Sequence, residues 1–522
     1  MSQRDRSEPW LPAGHFCVLG SVRCIERVAG RPEIPPVPVV THEIVKSVMV
    51  RDVVQQLPGG NQVKRFRAGV LIAALSVSIL AVGCGRSGSE SSESGSGESA
   101  TAKANANCTK EALQATEVGV TADTISVEVM ADTGSPLAPG LFQGNVDAMN
   151  AYAKWINANG GVGCRQLKVE AWDSKLDATE SKNGIINACK NDLAMVGGNS
   201  LFNPDVSVIG NCADKAGQPV GLPVFAALAN DVNEQCAANV WVMQAVAEPC
   251  NGTNTGVRDL KAFVGATKYY QTVQPNLKGI FLVPGDLPTT IQSATYQIEG
   301  QKQAGVNWID ALKVSGRSEQ SAFNTYVQAL KNGGGNYAYM GSNDVAMTKL
   351  RKEATAQGLT GVDVWACSLA CYTENFKTGG SAVDGTYVWM QFIPFEEASS
   401  NKAVKAYVDA VGGKPDSFGA QAWQSAMAFT QAVNEIVAEK GPNAITRPNL
   451  LAKMKTLSFD ADGWIGKART GQKVFSDCMA IMQINGGKFE RVFPKEAGTL
   501  DCKPENVVTV KIDPAAAAAN VK

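Results

Sequence analysis

The chain has 522 residues, 44% of them hydrophobic and 19% charged, with a formal net charge of −1. Near-neutral charge leaves no electrostatic footprint for nucleic acid, and the length exceeds what one hydrophobic core fills. The only two histidines, His15 and His42, lie near the N-terminus, so the rest of the chain has no material for Ser-His-Asp, Cys-His or histidine–metal chemistry.

In chain order, the first feature is a basic cluster, Lys64, Arg65 and Arg67, ahead of the uncharged run AGVLIAALSVSILAVG over 68–83. A positive flank before a short apolar run reads as a secretory signal. A spanning helix needs about 20 apolar residues, and this run is shorter. It ends in Ala81-Val82-Gly83-Cys84, which resembles the lipobox of bacterial lipoproteins. That resemblance implies cleavage before Cys84 and lipidation of that residue; an ordinary cleaved signal or an uncleaved anchor is the alternative. Acylation by two or more chains anchors stably where one is marginal. Residues 84–110 are rich in Gly and Ser and read as a flexible tether, too poor in apolar area to fold. Residues 1–48 are too long a leader for a signal, whereas Met49 opens a normal one. They read as a misassigned upstream extension, with a cytoplasmic tail as the alternative, and 49–83 as the signal peptide.

Of 13 cysteines, Cys17 and Cys24 lie upstream and Cys84 is the expected lipid site, which leaves Cys108, Cys164, Cys189, Cys212, Cys236, Cys250, Cys367, Cys371, Cys478 and Cys502. An even set in an exported chain reads as disulfides, although sequence does not fix the pairing. The expected pairs are Cys164–Cys189, Cys367–Cys371 and Cys478–Cys502. A metal cluster is the competing reading, and no C-x-x-C pair supports it. GWIGKA at 463–468 lacks the spacing and the Ser or Thr of a phosphate loop. Glu396-Glu397 and Asp460/Asp462 read as solvated loop charges rather than a catalytic pair.

From 124 onward strands and helices alternate. TISVEVMA (124–131) alternates apolar residues at Ile125, Val127 and Val129. Helix 144–158 follows, stopped by Gly160-Gly161. Strand 165–173, helix 177–190, strand 193–198, helix 204–216 and strands 223–229 and 240–244 complete a first run. A second run reads helix 256–270 and strand 278–284. A helix then opens at Asp286 and Pro288, an acceptor at the cap followed by a residue needing no donor. Strand 308–314, helix 318–331, strand 337–342, helix 344–356 and strands 362–368 and 385–393 follow. Helices 401–411 and 419–440 and a hairpin over 478–494 close the chain. Alternating helices and short apolar strands predict parallel sheets covered on both faces, and two runs predict two lobes.

The segment from Gly119 to Asp192 has a first strand, a Gly/Ser/Pro loop, a helix ending in Asn-x-x-Gly-Gly-Val, an Arg-led strand and an Asp-rich turn. Together with AMVGGNSLFNPD (194–205), it resembles the substrate-binding proteins of ABC transporters, specifically the branched-chain amino-acid, leucine-binding-like family. The likeness runs from about 119 to 440. It implies a clamshell of two doubly wound α/β lobes joined by a three-segment hinge. Lobe 1 is expected from 111–248 with 390–450, lobe 2 from 249–389 with 451–510, and a tail from 511–522.

Open parallel sheets bind ligands beyond their strand C-terminal ends, and clefts between lobes are the usual small-molecule sites. The candidate ligand-binding residues are therefore Thr133, Ser135, Asn199, Ser200, Ala227, Ala229, Asp286, Ser342, Asn343, Ser368 and Trp389. Bland roles compete for several of them. Ser135 with Pro136 shapes a turn, Ser200 caps helix 204–216, Ser342 and Asn343 cap helix 344–356, Asp286 caps its helix, and Tyr387 and Trp389 fill core. In amino-acid-binding members the loop holding Ala227 and Ala229 often has a hydroxyl, and a late loop supplies an acid for the ligand's ammonium. Here that late loop, ACSLAC (366–371), has no acid. An apolar or amide-like ligand is as well matched as an α-amino acid.

The resemblance implies no cofactor, no metal and no catalysis. It implies a small-molecule ligand, an ABC permease with its ATPase subunits, and a lipid anchor on the extracytoplasmic face of the bacterial cytoplasmic membrane. A ligand sensor of the same fold, passing its closed state to a membrane partner, is the alternative. A carboxylate hydrolase is a third reading, against which the missing histidines argue.

Overall fold

The computed structural model describes residue 108 and residues 111–135, 139–243, 255–469, 473–474 and 476–522. The expected upstream extension, signal peptide, Cys84 and almost all of the tether lie outside the described residues, as do Pro136 and Cys250.

Lobe 1 is built on a parallel sheet. Its strands are β1 (Thr124–Ala131), β2 (Gln166–Asp173), β3 (Ala194–Val196), β4 (Asn199–Ser200), β5 (Val224–Ala226), β6 (Leu228–Ala229) and β7 (Val240–Val242). β1 is central, between β2 on one side and β3 and β4 on the other; β3 then pairs β5, and β5 pairs β7. Ile125, Val127 and Val129 are wholly buried, as alternation on a covered sheet requires. Helices α1 (Gln143–Ala158), α2 (Ala178–Asn191), α3 (Ser207–Asn211) and α4 (Val232–Cys236) connect these strands. Asp177 caps α2 by accepting from the N–H groups of Thr179 and Glu180. The expected helix 204–216 shrinks to α3. Its cap is Val206, so Ser200 does not cap it.

Lobe 2 opens with β8 (Arg258–Phe263), where the sequence predicts a helix over 256–270. Val257, Leu260 and Val264 mimic helical spacing, but Leu260 and Ala262 alternate inward and Val257 is exposed. The strand is fixed by a partner strand far downstream, over Val507–Ile512, which no local pattern reveals. Helix α5 (Gly265–Val273), strand β9 (Lys278–Pro284), helix α6 (Pro288–Gln303), strand β10 (Asn307–Val314), helix α7 (Asn324–Gly333), strand β11 (Tyr337–Met340), helix α8 (Asp344–Ala356), strand β12 (Val364–Ser368) and strand β13 (Tyr387–Met390) follow. The sheet order is β10-β9-β11-β12-β13, all parallel. Gly279 is required in β9: a Cβ there would meet the Tyr337 carbonyl oxygen at 1.6 Å.

The chain then returns to lobe 1 through α9 (Lys402–Ala410), α10 (Ser417–Lys440) and α11 (Arg447–Met454). Helix α10 is buried over most of its surface. Its Trp423 meets Tyr152 of α1 edge-on at 4.8 Å, and its Phe429 meets Phe225 of β5 at 5.7 Å. Lobe 1 packing extends past the expected boundary at 450: Phe459 meets Trp241 and Trp464 meets Tyr407, at 5.9 and 5.6 Å. The short strands β14 (Ser458–Phe459) and β15 (Ala468–Arg469) pair there.

The chain finally rejoins lobe 2 as the hairpin β16 (Cys478–Asn485) and β17 (Lys488–Phe493), with β16 antiparallel to β13. β18 (Asp501–Cys502) pairs β16, and β19 (Val507–Ile512) is the partner of β8. The tail expected over 511–522 is therefore part of the lobe. α12 (Pro514–Ala518) is followed by Lys522, whose backbone bonds Ala311 and Lys313 of β10.

Two of the crossing segments hold each other, the Ile393 N–H donating to the Trp464 carbonyl at 2.9 Å and the Trp464 indole to the Ile393 carbonyl at 3.0 Å. The first crossing, between β7 and β8, falls largely in 244–254, outside the described residues.

Disulfides join Cys108–Cys164, Cys189–Cys212, Cys367–Cys371 and Cys478–Cys502. The last two match expectation, whereas Cys164–Cys189 does not form. Cys189 lies in the last turn of α2, which packs against α3 and its flanking Cys212, while Cys164 is bonded to Cys108 of the N-terminal segment. Cys236 is also disulfide-bonded.

Of the expected solvated loop charges, Glu396 is exposed, whereas Glu397 is not solvated. Glu397 is a buried partner of Arg491, with Oε2 2.8 Å from Nη2, and it also accepts from the Gly498 N–H. Glu396 accepts from the Tyr372 hydroxyl.

Candidate functional site

A cavity of about 300 Å³ lies between the lobes, at the C-terminal ends of the strands. Volumes of this order hold small metabolites. Loops lead apolar side chains into it. From lobe 1 come Leu141 and Phe142 ahead of α1, Leu176 after β2, Leu201 after β4, Leu228 in β6 and Phe418 at the start of α10. From lobe 2 come Pro284, Leu287, Leu369 and Trp389. The polar lining is Asn230, Asp286, Thr290, Ser293, Ser342, Asn343, Ser368 and Gln421.

Of the expected ligand residues, Asp286, Ser342, Asn343, Ser368 and Trp389 line this cavity, all from lobe 2. Asn343 also caps α8, accepting from the Ala346 N–H at 2.9 Å. Asp286 is exposed and does not cap α6, whose cap is Leu287 without a side-chain bond. Trp389 stacks on Phe263 at 4.7 Å and donates to the Tyr339 hydroxyl at 3.0 Å, which fixes the indole as a wall.

The expected lobe 1 residues are not among the lining residues. Asn199, Ser200, Ala227 and Ala229 are buried and do not line the cavity. The Ser200 hydroxyl lies 2.8 Å from that of Ser181. Ser135 is buried too, and the Thr133 N–H donates to Asp173 at 3.0 Å.

What organises the lobe 1 side is a pair of buried acids that the sequence reading missed. Asp132, at the end of β1, accepts from the Ser174 hydroxyl and the N–H groups of Leu176 and Leu201, at 2.7, 2.8 and 2.8 Å. It thereby fixes the two loops that present Leu176 and Leu201. Burial raises its pKa. Glu234 on α4 is almost fully buried beside Asn203, Asp231 and Asp132, and burial pushes its pKa up to about 8. An acid ending a hydrophobic strand was the available signal for Asp132.

The lobes touch across the cavity. Thr289 donates to the Leu201 carbonyl at 2.9 Å, and Ser417 to the Leu369 carbonyl at 3.1 Å. Among the described residues no Lys or Arg lines the cavity, and Asp286 is its one charged lining group. Gln421 lines it from α10 and is wholly buried.

A two-lobed α/β shell closed around a mostly apolar cavity, with the polypeptide crossing between lobes, defines a clamshell solute-binding fold. The periplasmic binding protein family model matches residues 124–488, and the chain belongs to that family. The fold is similar to a leucine binding protein of Thermotoga maritima at 13% identity, covering 73% of this chain and 99% of that one, with a TM-score of 0.54. It is similar to a fatty acid ABC transporter substrate-binding protein of Thermomonospora curvata at 16% identity, covering 79% and 97%, TM-score 0.54. A benzoate complex of an ABC transporter solute-binding protein of R. palustris matches at 14% identity, covering 71% and 95%, TM-score 0.53. No curated protein matches the chain in sequence.

Proposed function

We propose that this chain is a lipid-anchored extracytoplasmic receptor that captures one small molecule between its lobes and delivers it to an ABC permease with its ATPase subunits. The observation that supports capture is the cavity itself, walled by both lobes and bridged by the Thr289–Leu201 and Ser417–Leu369 hydrogen bonds. Bonds that close only when the lobes meet favour a closed state, and a ligand contacting both walls adds to them. The related leucine, benzoate and fatty acid transporter proteins support transport as the purpose of capture. The run before Cys84 supports the anchor.

Uptake and fractionation test the proposal together. Cells carrying Cys84→Ala should release the protein from the membrane fraction, and cells lacking the protein should lose uptake of the solute it binds. Unchanged uptake and unchanged membrane association would contradict it.

A further inference from the structure

We infer that the cavity takes an uncharged, chiefly apolar solute whose polar end is an amide-like group held by Gln421. The inference rests on the capture reading and narrows its ligand.

Three observations lead to it. The first is the wall: leucines from four separate segments of lobe 1, two aromatic rings from the same lobe and Trp389 from lobe 2 leave mainly hydrocarbon for a solute to touch. Desolvating such a solute is favourable, and desolvating a charged one against that wall is not.

The second is the charge pattern. Four helix N-termini face the cleft: three have acids close by, Asp286 before α6, Asp344 in the first turn of α8 and Asp416 capping α10, whereas α1, entered through Phe142, has none in its first turn. An entering carboxylate would meet Asp286 and, among the described residues, no lining cation. Arg258 lies in a small adjoining hollow, where Asp513 is its electrostatic neighbour. An α-amino acid would bring a carboxylate with the same difficulty and an ammonium whose one lining acid, Asp286, sits exposed to water at the rim.

The third is Gln421. Its side chain is wholly buried on the cavity wall, yet neither Oε1 nor Nε2 has a hydrogen-bond partner among the described residues. Buried polar groups are ordinarily paired. One acceptor and one donor on the same planar group are complementary to another amide, which offers the reverse pair. A carboxylate could use only the Nε2 side and a primary ammonium only the Oε1 side, so each leaves half the group unsatisfied.

The test is equilibrium binding by the full chain, followed by thermal unfolding and calorimetry at pH 7.5. The probes share one tail: octanamide, octanoate and octylamine, with isoleucine and toluene alongside. Octanamide should bind at least about tenfold tighter than octanoate and octylamine, and isoleucine should give no shift. Gln421→Leu should weaken octanamide about tenfold and leave toluene unchanged, since toluene has no polar group to pair. Tightest binding by octanoate, octylamine or isoleucine overturns the inference while leaving capture intact. So does equal octanamide affinity in Gln421→Leu. If no probe, toluene included, shifts the folded protein, the capture reading itself fails. The ranking in the parent chain decides even if the variant does not fold.

Discussion

Glu234 makes stability depend on pH with a sign and size that can be worked out. Burial raises its carboxyl from 4.5 to about 8, and the nearby acids Asp231 and Asp132 add to the shift. In the unfolded chain the group ionises near its ordinary value, so the folded state holds the proton more tightly. Its stabilisation is complete below pH 4.5 and is lost as pH rises through 8. At about 1.36 kcal/mol per unit of pKa, the loss across that window approaches 5 kcal/mol, a large share of a domain's stability. Glu234→Gln keeps the shape and removes the titration. Urea unfolding from about pH 4.5 to 8.5 should show the variant gaining on the parent by up to about 1.4 kcal/mol per pH unit between those limits. A parent-minus-variant difference that is flat with pH would refute the reasoning.

Other substitutions probe the supports of the cavity. Asp132→Asn turns one accepting oxygen into a donor, leaving an N–H of Leu176 or Leu201 or the Ser174 hydroxyl unpaired. It should cost about 1–3 kcal/mol in urea unfolding and weaken ligand binding. Glu397→Gln strands the buried Arg491 guanidinium and should cost about 3–5 kcal/mol by the same assay. Removing the Cys367–Cys371 bridge with paired serines frees a loop of four residues' separation, worth about 2 kcal/mol by loop entropy. Calorimetry should also show weaker ligand binding, because Ser368, Leu369 and Ala370 lie inside that loop and line the cavity.

The architecture was legible where burial and local pattern agree. The alternation in 124–131, the helix at 344–356 and the hairpin turning at 485–487 are set by residues near in sequence, and the structure has each of them. The strand at 258–263 was not legible, because its identity depends on pairing with 507–512 across most of lobe 2. The cavity was half legible. Strand-end position points to Ser342, Asn343, Ser368 and Trp389 in lobe 2, but in lobe 1 the wall is formed by leucines, which strand-end hydroxyls do not mark. Gln421 sits in a helix whose neighbours Ala420, Ala422 and Trp423 are core, so nothing local separates it from packing. The cysteine pairs failed where connectivity depends on which loops the fold brings together, as with Cys108 and Cys164.

Solute capture between the lobes is tested most directly by calorimetric titration of the folded chain, repeated with Leu201→Arg to place a charge in the cavity wall. One solute per chain should bind saturably without chemical change. At a hundredfold excess over Kd it should add about 2.7 kcal/mol to folding stability. The arginine variant should keep the fold and lose the binding. Binding that survives Leu201→Arg unchanged would place the solute elsewhere and contradict the account.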